Sequence, residues 1–288
     1  MERKTLVGLF AALCVWLTAG LALPFVNVLK MCTPEQLLTV RGYLTASITF
    51  MVLRGDVFRV DRYTYLVGLC TPFASLGLFK AVREWGAGPT FIILTATPFI
   101  NFLFTLAQGK RVPRSALGAL ALMLGGVALA CWKGVFSLAG FLWSLFCMVG
   151  CGLLFELTSR SKATSFQRCF WASFGMGTIG LIGSYAANWS QIIQSVPLQL
   201  TLLTFAFVGG FLYSIAMFFA FQHLPKDIAS VLVQGETPSV ILFSGVILGE
   251  KLTNLQWLGV FLALCGAAYL SRWFSRQPDE GIEWVVKT

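Results

Sequence analysis

Apolar residues run along this chain in blocks, and polar residues gather in the short gaps between them. Runs of roughly 17–25 apolar residues match the length an α-helix needs to cross a hydrocarbon core of about 30 Å. Ten such runs are present, at 5–29, 37–53, 63–82, 87–108, 115–132, 135–158, 169–187, 198–221, 228–249 and 254–271. Each predicts a membrane-spanning helix, because a helix satisfies its own backbone hydrogen bonds where no water is at hand. The gaps leave no stretch of soluble-domain length. The first run is too long for a signal peptide, lacks a small-residue cleavage pattern and is closed by Lys30, so it is expected to be retained.

Composition agrees with this pattern: 57% of the 288 residues are hydrophobic and 11% are charged, against about 25% charged in ordinary soluble domains. The net charge of +9 is not that of a nucleic-acid-binding protein, because the basic residues are spread singly over separate connections. With ten spans the termini share a side, and 15 of the 21 Lys and Arg residues fall on that side; Lys30, Arg41, Lys80, Arg83, Lys133 and Lys251 fall on the other. Excess positive charge marks the cytoplasmic side, so both termini are expected in the cytoplasm and the protein in the cell inner (plasma) membrane. The eight cysteines include no CxxC, and Cys147 and Cys151, one helical turn apart, have no His beside them. No metal and no cofactor are expected. The single His223 reads as a loop residue.

Within the ninth run lies Glu236-Thr237-Pro238. A carboxylate at mid-membrane depth costs about 2.5–3.5 kcal/mol on insertion scales and normally faces other helices or water. Proline removes a backbone N–H and leaves the carbonyl four residues earlier, that of Gln234, without its helical partner. The pair predicts a helix break lining a cavity.

The chain also repeats itself. TPFINFLFTLAQGKRV from Thr97 aligns with TPSVILFSGVILGEKL from Thr237, so that Pro98 to Gly109 has the same spacing as Pro238 to Gly249. Gly118 and Gly125 recur as Gly259 and Gly266, and FKAVREWGAGP resembles FFAFQHLPKDI upstream. Two five-span units follow, 1–133 and 134–288. Five is odd, so the units must enter the membrane in opposite senses, the inverted-repeat arrangement of transporters that bind at the midplane between broken helices.

The second unit, with Ala220-Phe221-Gln222-His223-Leu224-Pro225, Pro238, Gly249-Glu250-Lys251-Leu252, Gly259 and Gly266, resembles the EamA repeat of the drug/metabolite transporter superfamily. Trp16, Gly140 and Arg160 stand where that family has similar residues. The resemblance implies ten helices in two inverted five-helix repeats around a central cavity, working by alternating access. It leaves the substrate open, since relatives move amino acids, other metabolites, quaternary amines, S-adenosylmethionine or drugs. The first unit departs from the pattern at Gly109-Lys110-Arg111, leaving Glu250 without a mate; Glu250 reads as a structural residue at a helix end. Glu236 has Ala96 as its counterpart, so the repeat itself does not require a carboxylate there.

Helical spacing groups the polar residues of the two broken spans. Thr90, Thr97, Asn101, Thr105 and Gln108 form one stripe; Ser230, Gln234, Thr237 and Ser244 form another, with Glu236 at its border. Such stripes serve helix–helix packing or the wall of a cavity, and the spacing does not choose. In the first span Trp16, Gly20 and Asn27 share a face, with Pro24 expected to kink the helix; Tyr213 follows Gly209-Gly210, which admit a close neighbour. Glu156 is expected to pair with the adjoining basic residues at the membrane boundary.

The substrate-contact residues read from these patterns are Glu236, Trp16, Asn27, Thr97, Asn101, Tyr213, Gln234 and Thr237, with Pro98 and Pro238 as helix breaks and Glu236 as the proton-coupling candidate. One buried carboxylate, aromatic rings and neutral hydrogen-bonding groups suit a small solute carrying an amine or sulfonium. The function expected is secondary transport of an amino acid or an amino-acid derivative such as S-adenosylmethionine, with membrane lipids around it and protons as the candidate coupling ion. A multidrug exporter of organic cations is the alternative, and a non-transporting receptor or scaffold is a third. No nucleophile–base set or Walker motif is present, so neither an enzyme nor an ATP-driven pump is expected. Direction of transport, and monomer or homodimer, stay open.

Overall fold

The computed structural model describes residues 3–54, 56–107, 114–131, 137–224, 228–229, 232–233, 235–249 and 252–275. The 133–134 boundary between the expected units, Gln108, Ser230, Gln234 and Glu250 lie outside the described residues, as do the side chains of Asn101 and Thr105. Among the described residues there are helices and no strands.

The helices are α1 (Arg3–Ala22), α2 (Phe25–Val28), α3 (Pro34–Leu53), α4 (Arg62–Trp85), α5 (Ala87–Leu94), α6 (Thr97–Ala107), α7 (Arg114–Ala130), α8 (Leu138–Arg160) and α9 (Ser165–Gly183). They continue as α10 (Ser190–Gln194), α11 (Val196–Phe205), a π-helical segment (Ala206–Leu212), α12 (Tyr213–His223), α13 (Glu236–Leu248) and α14 (Asn254–Ser275). Five stretches are long and apolar enough to cross a membrane: Lys4–Val28, Pro34–Leu53, Arg62–Trp85, Leu138–Arg160 and Val196–His223. Ala87–Ile100, Arg114–Ala130, Glu236–Leu248 and Asn254–Leu270 are shorter apolar helices. Position by position these helices and α9 fall on the ten expected runs, while α10 was not expected and folds the connection after α9.

Local chemistry sets many of the ends. Thr33 with Gln36 and Thr164 with Gln167 form capping boxes at the starts of α3 and α9, each satisfying two backbone donors that have no intrahelical acceptor. Asp61 accepts the Thr64 N–H at the start of α4 and Ser137 accepts the Gly140 N–H at the start of α8. Between α4 and α5 the chain turns at Gly86 with φ 97°, a conformation that a side chain would strain. Pro24 ends α1 and the helix resumes as α2, so the first span is interrupted where the sequence expected a kink.

Packing relies on small residues, as it must where lipid is as apolar as the helix surfaces. Gly42 of α3 meets the backbone of Gly177 on α9; Gly126 of α7 and Gly259 of α14 each meet the other helix's backbone; Gly150 of α8 meets Ala74 of α4. A side chain at any of these points would overlap the neighbouring helix. Outward faces carry large apolar residues such as Leu13, Leu17, Ile182, Phe207, Leu242 and Val246, as expected of surfaces that face lipid. His223 closes α12 with its Nδ1 2.9 Å from the Phe219 carbonyl, so it is a helix-end residue and not the loop residue expected.

Candidate functional site

Both prolines of the repeated Thr-Pro pair sit in the first turn of a resumed helix: Pro98 in α6 and Pro238 in α13. At that position a missing N–H leaves no intrahelical bond broken within the new helix. Upstream of Pro98 the carbonyl of Leu94 loses its usual donor, and the Thr97 hydroxyl takes its place at 2.6 Å. Its repeat mate behaves differently. Thr237 reaches out of its own helix toward the Phe91 carbonyl of α5 at 3.4 Å, so the two broken helices touch at their interruptions. Both threonines are buried.

Trp16 supports the second break from outside. Its indole N–H donates to the Leu232 carbonyl, and its ring lies against Gly235, where a Cβ would overlap it. One turn along α1, Gly20 lets Ser239 and Phe243 approach, and the Ser239 hydroxyl donates to the Trp16 carbonyl at 2.6 Å. The face of α1 marked by Trp16 and Gly20 therefore docks on the start of α13. Asn27 does not join it, for it lies beyond Pro24 in α2 and shares no hydrogen bond with this group among the described residues.

Glu236 is the first residue of α13. Negative charge is favoured there by the unpaired N–H groups and the helix dipole. The Tyr213 hydroxyl is its side-chain hydrogen-bond partner and the Arg41 guanidinium is the cation acting on it. Its Oε2 atom is buried and meets no hydrogen-bond donor among the described residues. Tyr213 follows the π-helical segment, whose Gly209 lies against Ala22 and whose Gly210 lies against Arg41 and Thr45. Single π turns of this kind often mark functional positions in helices.

Arg41 is the residue the sequence reading misplaced. It was counted among the charges of the outer connections, but it stands on the second turn of α3 and is 4% exposed. Its guanidinium carbon is 5.5 Å from the Phe79 ring centroid and 5.6 Å from that of Tyr213. The signal was present, since Arg41 lies inside the 37–53 run; counting it as a loop charge hid it. Arg41, Tyr213 and Glu236 thus bring spans two, eight and nine to one buried polar centre. Cys147 of α8 also faces Glu236 electrostatically, and its Sγ lies 3.9 Å from that of Cys151. All eight cysteines are free thiols, and no cluster of three or more metal-ligating side chains occurs among the described residues.

Other ionisable groups hold the ends of the bundle. Lys80 and Glu35 pair at 3.0 Å, and Arg83 donates to the Leu29 carbonyl at 2.9 Å. At the opposite end Arg160 Nε donates to Glu156 at 2.8 Å, as expected for that carboxylate. Asp61 accepts from the Lys162 N–H at 2.6 Å and beside it opens a cleft of about 350 Å³ lined by Phe58, Arg59, Lys162 and Gln167. This cleft sits among loops and is separate from the Arg41–Glu236 centre.

Among solved structures 26 chains match. One crystal structure superposes on 95% of this chain and 97% of its own length, with a TM-score of 0.64 at 16% sequence identity. At that identity the likeness is one of fold. No curated protein matches the chain in sequence. A family model described as the EamA-like transporter family matches residues 135–272. The matched stretch holds Tyr213 and Glu236, whereas Arg41 and Trp16 come from the other half of the chain. Residues 135–272 belong to the EamA-like transporter family, one of the families of the drug/metabolite transporter superfamily.

Proposed function

We propose that the protein is a secondary transporter that moves a small amine-bearing metabolite, an amino acid or a derivative such as S-adenosylmethionine, by alternating access of ten spans arranged as two inverted five-helix repeats. Helix pairing supports the repeat. If each span of the first unit is exchanged with its counterpart five spans on, the pair α4 with α8 becomes α12 with α1, and both pairs are in contact. The pairs α3 with α9, α5 with α13 and α7 with α14 map onto themselves, and all three are in contact. Individual glycines obey the same exchange: Gly140 at the start of α8 packs on Trp85 at the end of α4, and Gly8 near the start of α1 packs on Leu224 just after α12. The basic residues favour cytoplasmic termini in the inner (plasma) membrane.

The observation that carries the substrate reading is Glu236, a carboxylate at a helix break with one oxygen unmatched by any described donor. Its repeat counterpart is Ala96, so the helix break does not account for it. An amine or sulfonium would supply the missing donor or charge, with Tyr213 fixing the carboxylate from the other side. A proton would serve Glu236 as well, which makes the same residue the coupling candidate.

Purified protein in proteoliposomes, tested for counterflow of radiolabelled amino acids and of S-adenosylmethionine, examines this reading. We expect saturable flux for at least one amine-bearing solute. In Glu236→Gln, loss of binding at every pH assigns Glu236 to the amine; retained binding with loss of uphill, proton-driven flux assigns it to coupling. Unchanged transport and binding in that variant would remove Glu236 from both roles. Competition by many unrelated organic cations would favour the multidrug alternative.

A further inference from the structure

The second charge of the buried centre has no role in the amine reading. Arg41 lies within α3 at 4% exposure, yet its Nε is buried with no hydrogen-bond partner, and its guanidinium forms no ion pair among the described residues. Phe79 and Tyr213 stand within cation–π range. Rings attract the charge, but they offer no in-plane acceptor to a guanidinium, which carries five N–H donors in a flat fork. Leaving a buried donor of that fork unmet inside a membrane protein is costly.

Nearby donors are unmet as well. The Thr45 hydroxyl, one turn on from Arg41 and against the same Gly210, is fully buried with no hydrogen-bond partner. Thr39 and Thr49 on the same helix donate to the carbonyl four residues back, and Thr45 does not. The Ser173 hydroxyl, on α9 where that helix crosses α3 at Gly42, is also fully buried, with no partner beyond the Cys169 thiol one turn back among the described residues. On Glu236, the hydrogen-bond partner of Tyr213, the unmet atom is an acceptor, Oε2.

Unmet donors therefore gather around Arg41 and an unmet acceptor stands on Glu236, and Tyr213 neighbours both charges. Arg41 and Glu236 act on each other electrostatically but form no ion pair. Opposite buried charges that stayed apart for no reason would give up the attraction that offsets their desolvation.

We infer that the site takes a zwitterion: a carboxylate is held by Arg41 with Thr45 and Ser173, while the amine of the same molecule meets Glu236. A guanidinium fork matches a carboxylate in two parallel hydrogen bonds. The inference rests on the reading of Glu236 as the amine site and narrows it to amino-acid-like substrates, excluding simple organic cations.

The test compares ligands that differ only in the carboxylate. Purified wild-type protein is titrated with the twenty common amino acids, their primary amides and their decarboxylated amines, and binding is read by thermal shift and calorimetry. We expect the best-bound amino acid to lose about 10- to 100-fold in affinity as its amide. In Arg41→Gln the acid and amide should bind within about threefold of each other, and Thr45→Val should narrow the gap in part. If Arg41→Gln does not fold, the wild-type comparison and Thr45→Val still decide. An acid-to-amide ratio near one in the wild type, or a ratio unchanged in Arg41→Gln, overturns the zwitterion while leaving amine binding intact. Absence of binding by every amine in the panel overturns both readings.

Discussion

Arg41, Glu236 and Trp16 show three ways in which one residue answers the demand of a membrane interior. Trp16 is the simplest. It was read as a cavity residue, and its indole N–H goes to the Leu232 carbonyl while its ring fills the space over Gly235. That carbonyl, next to a helix break, also accepts from the Gly235 N–H at 3.0 Å, and Trp16 adds a second donor. Trp16→Phe keeps most of the ring and removes the N–H, so it should lower the stability of the purified protein by about 0.5–1.5 kcal/mol, measured by unfolding in a mild detergent. Gly235→Ala should be worse in the wild type than in a Trp16→Ala background, because the added methyl overlaps the indole. Equal effects in both backgrounds would break that contact. Trp16 and Glu236 were legible as unusual residues in apolar runs. Arg41 was written in the same way and was missed, because its partners Phe79 and Tyr213 come from other spans.

The elements are interrupted where the local chemistry says they should be. Proline marked both breaks, and the capping threonines at 33 and 164 lie where α3 and α9 begin. What spacing did not reveal is how Thr97 and Thr237 divide their work: one repairs its own helix and the other reaches the neighbouring one. Thr97→Val keeps the shape and leaves the Leu94 carbonyl without its donor, at a cost of about 1–3 kcal/mol; Thr97→Ser should restore most of it. Thermal unfolding of the two variants checks this, and equal losses would remove the hydroxyl from the account. The π-helical segment at Ala206–Leu212 had no sequence signal beyond Gly209-Gly210. It widens one turn just before Tyr213, and the glycines let α1 and α3 approach at that level.

At the scale of the whole molecule, crossings between the two halves hold the bundle together. Gly42 meets Gly177 backbone to backbone, so Gly42→Leu should prevent stable accumulation of the protein in membranes, whereas Gly118→Leu, at a position with nothing within 4 Å, should not. Asp61 ties the halves at one end through the Lys162 N–H. Its partial burial alone would raise its pKa, but hydrogen bonds from the Lys162, Thr64 and Tyr63 backbone outweigh that and hold the carboxyl below its usual range. A carboxylate depressed on folding stabilises the protein above its unfolded pKa, about 3.9, and that contribution is lost as pH falls through the lower folded value. The melting temperature of the wild type should therefore fall more steeply below about pH 4 than that of Asp61→Asn; parallel profiles would sink the assignment. By itself the sequence determined the membrane class, the apolar runs, the helix breaks and the one-sided carboxylate, since lipid constrains every residue of a span in the same local way. Only the tertiary structure decided that Arg41 is buried beside Tyr213, the hydrogen-bond partner of Glu236, because that juxtaposition joins three spans distant in the chain, and helix crossings set by glycine contacts bring them together.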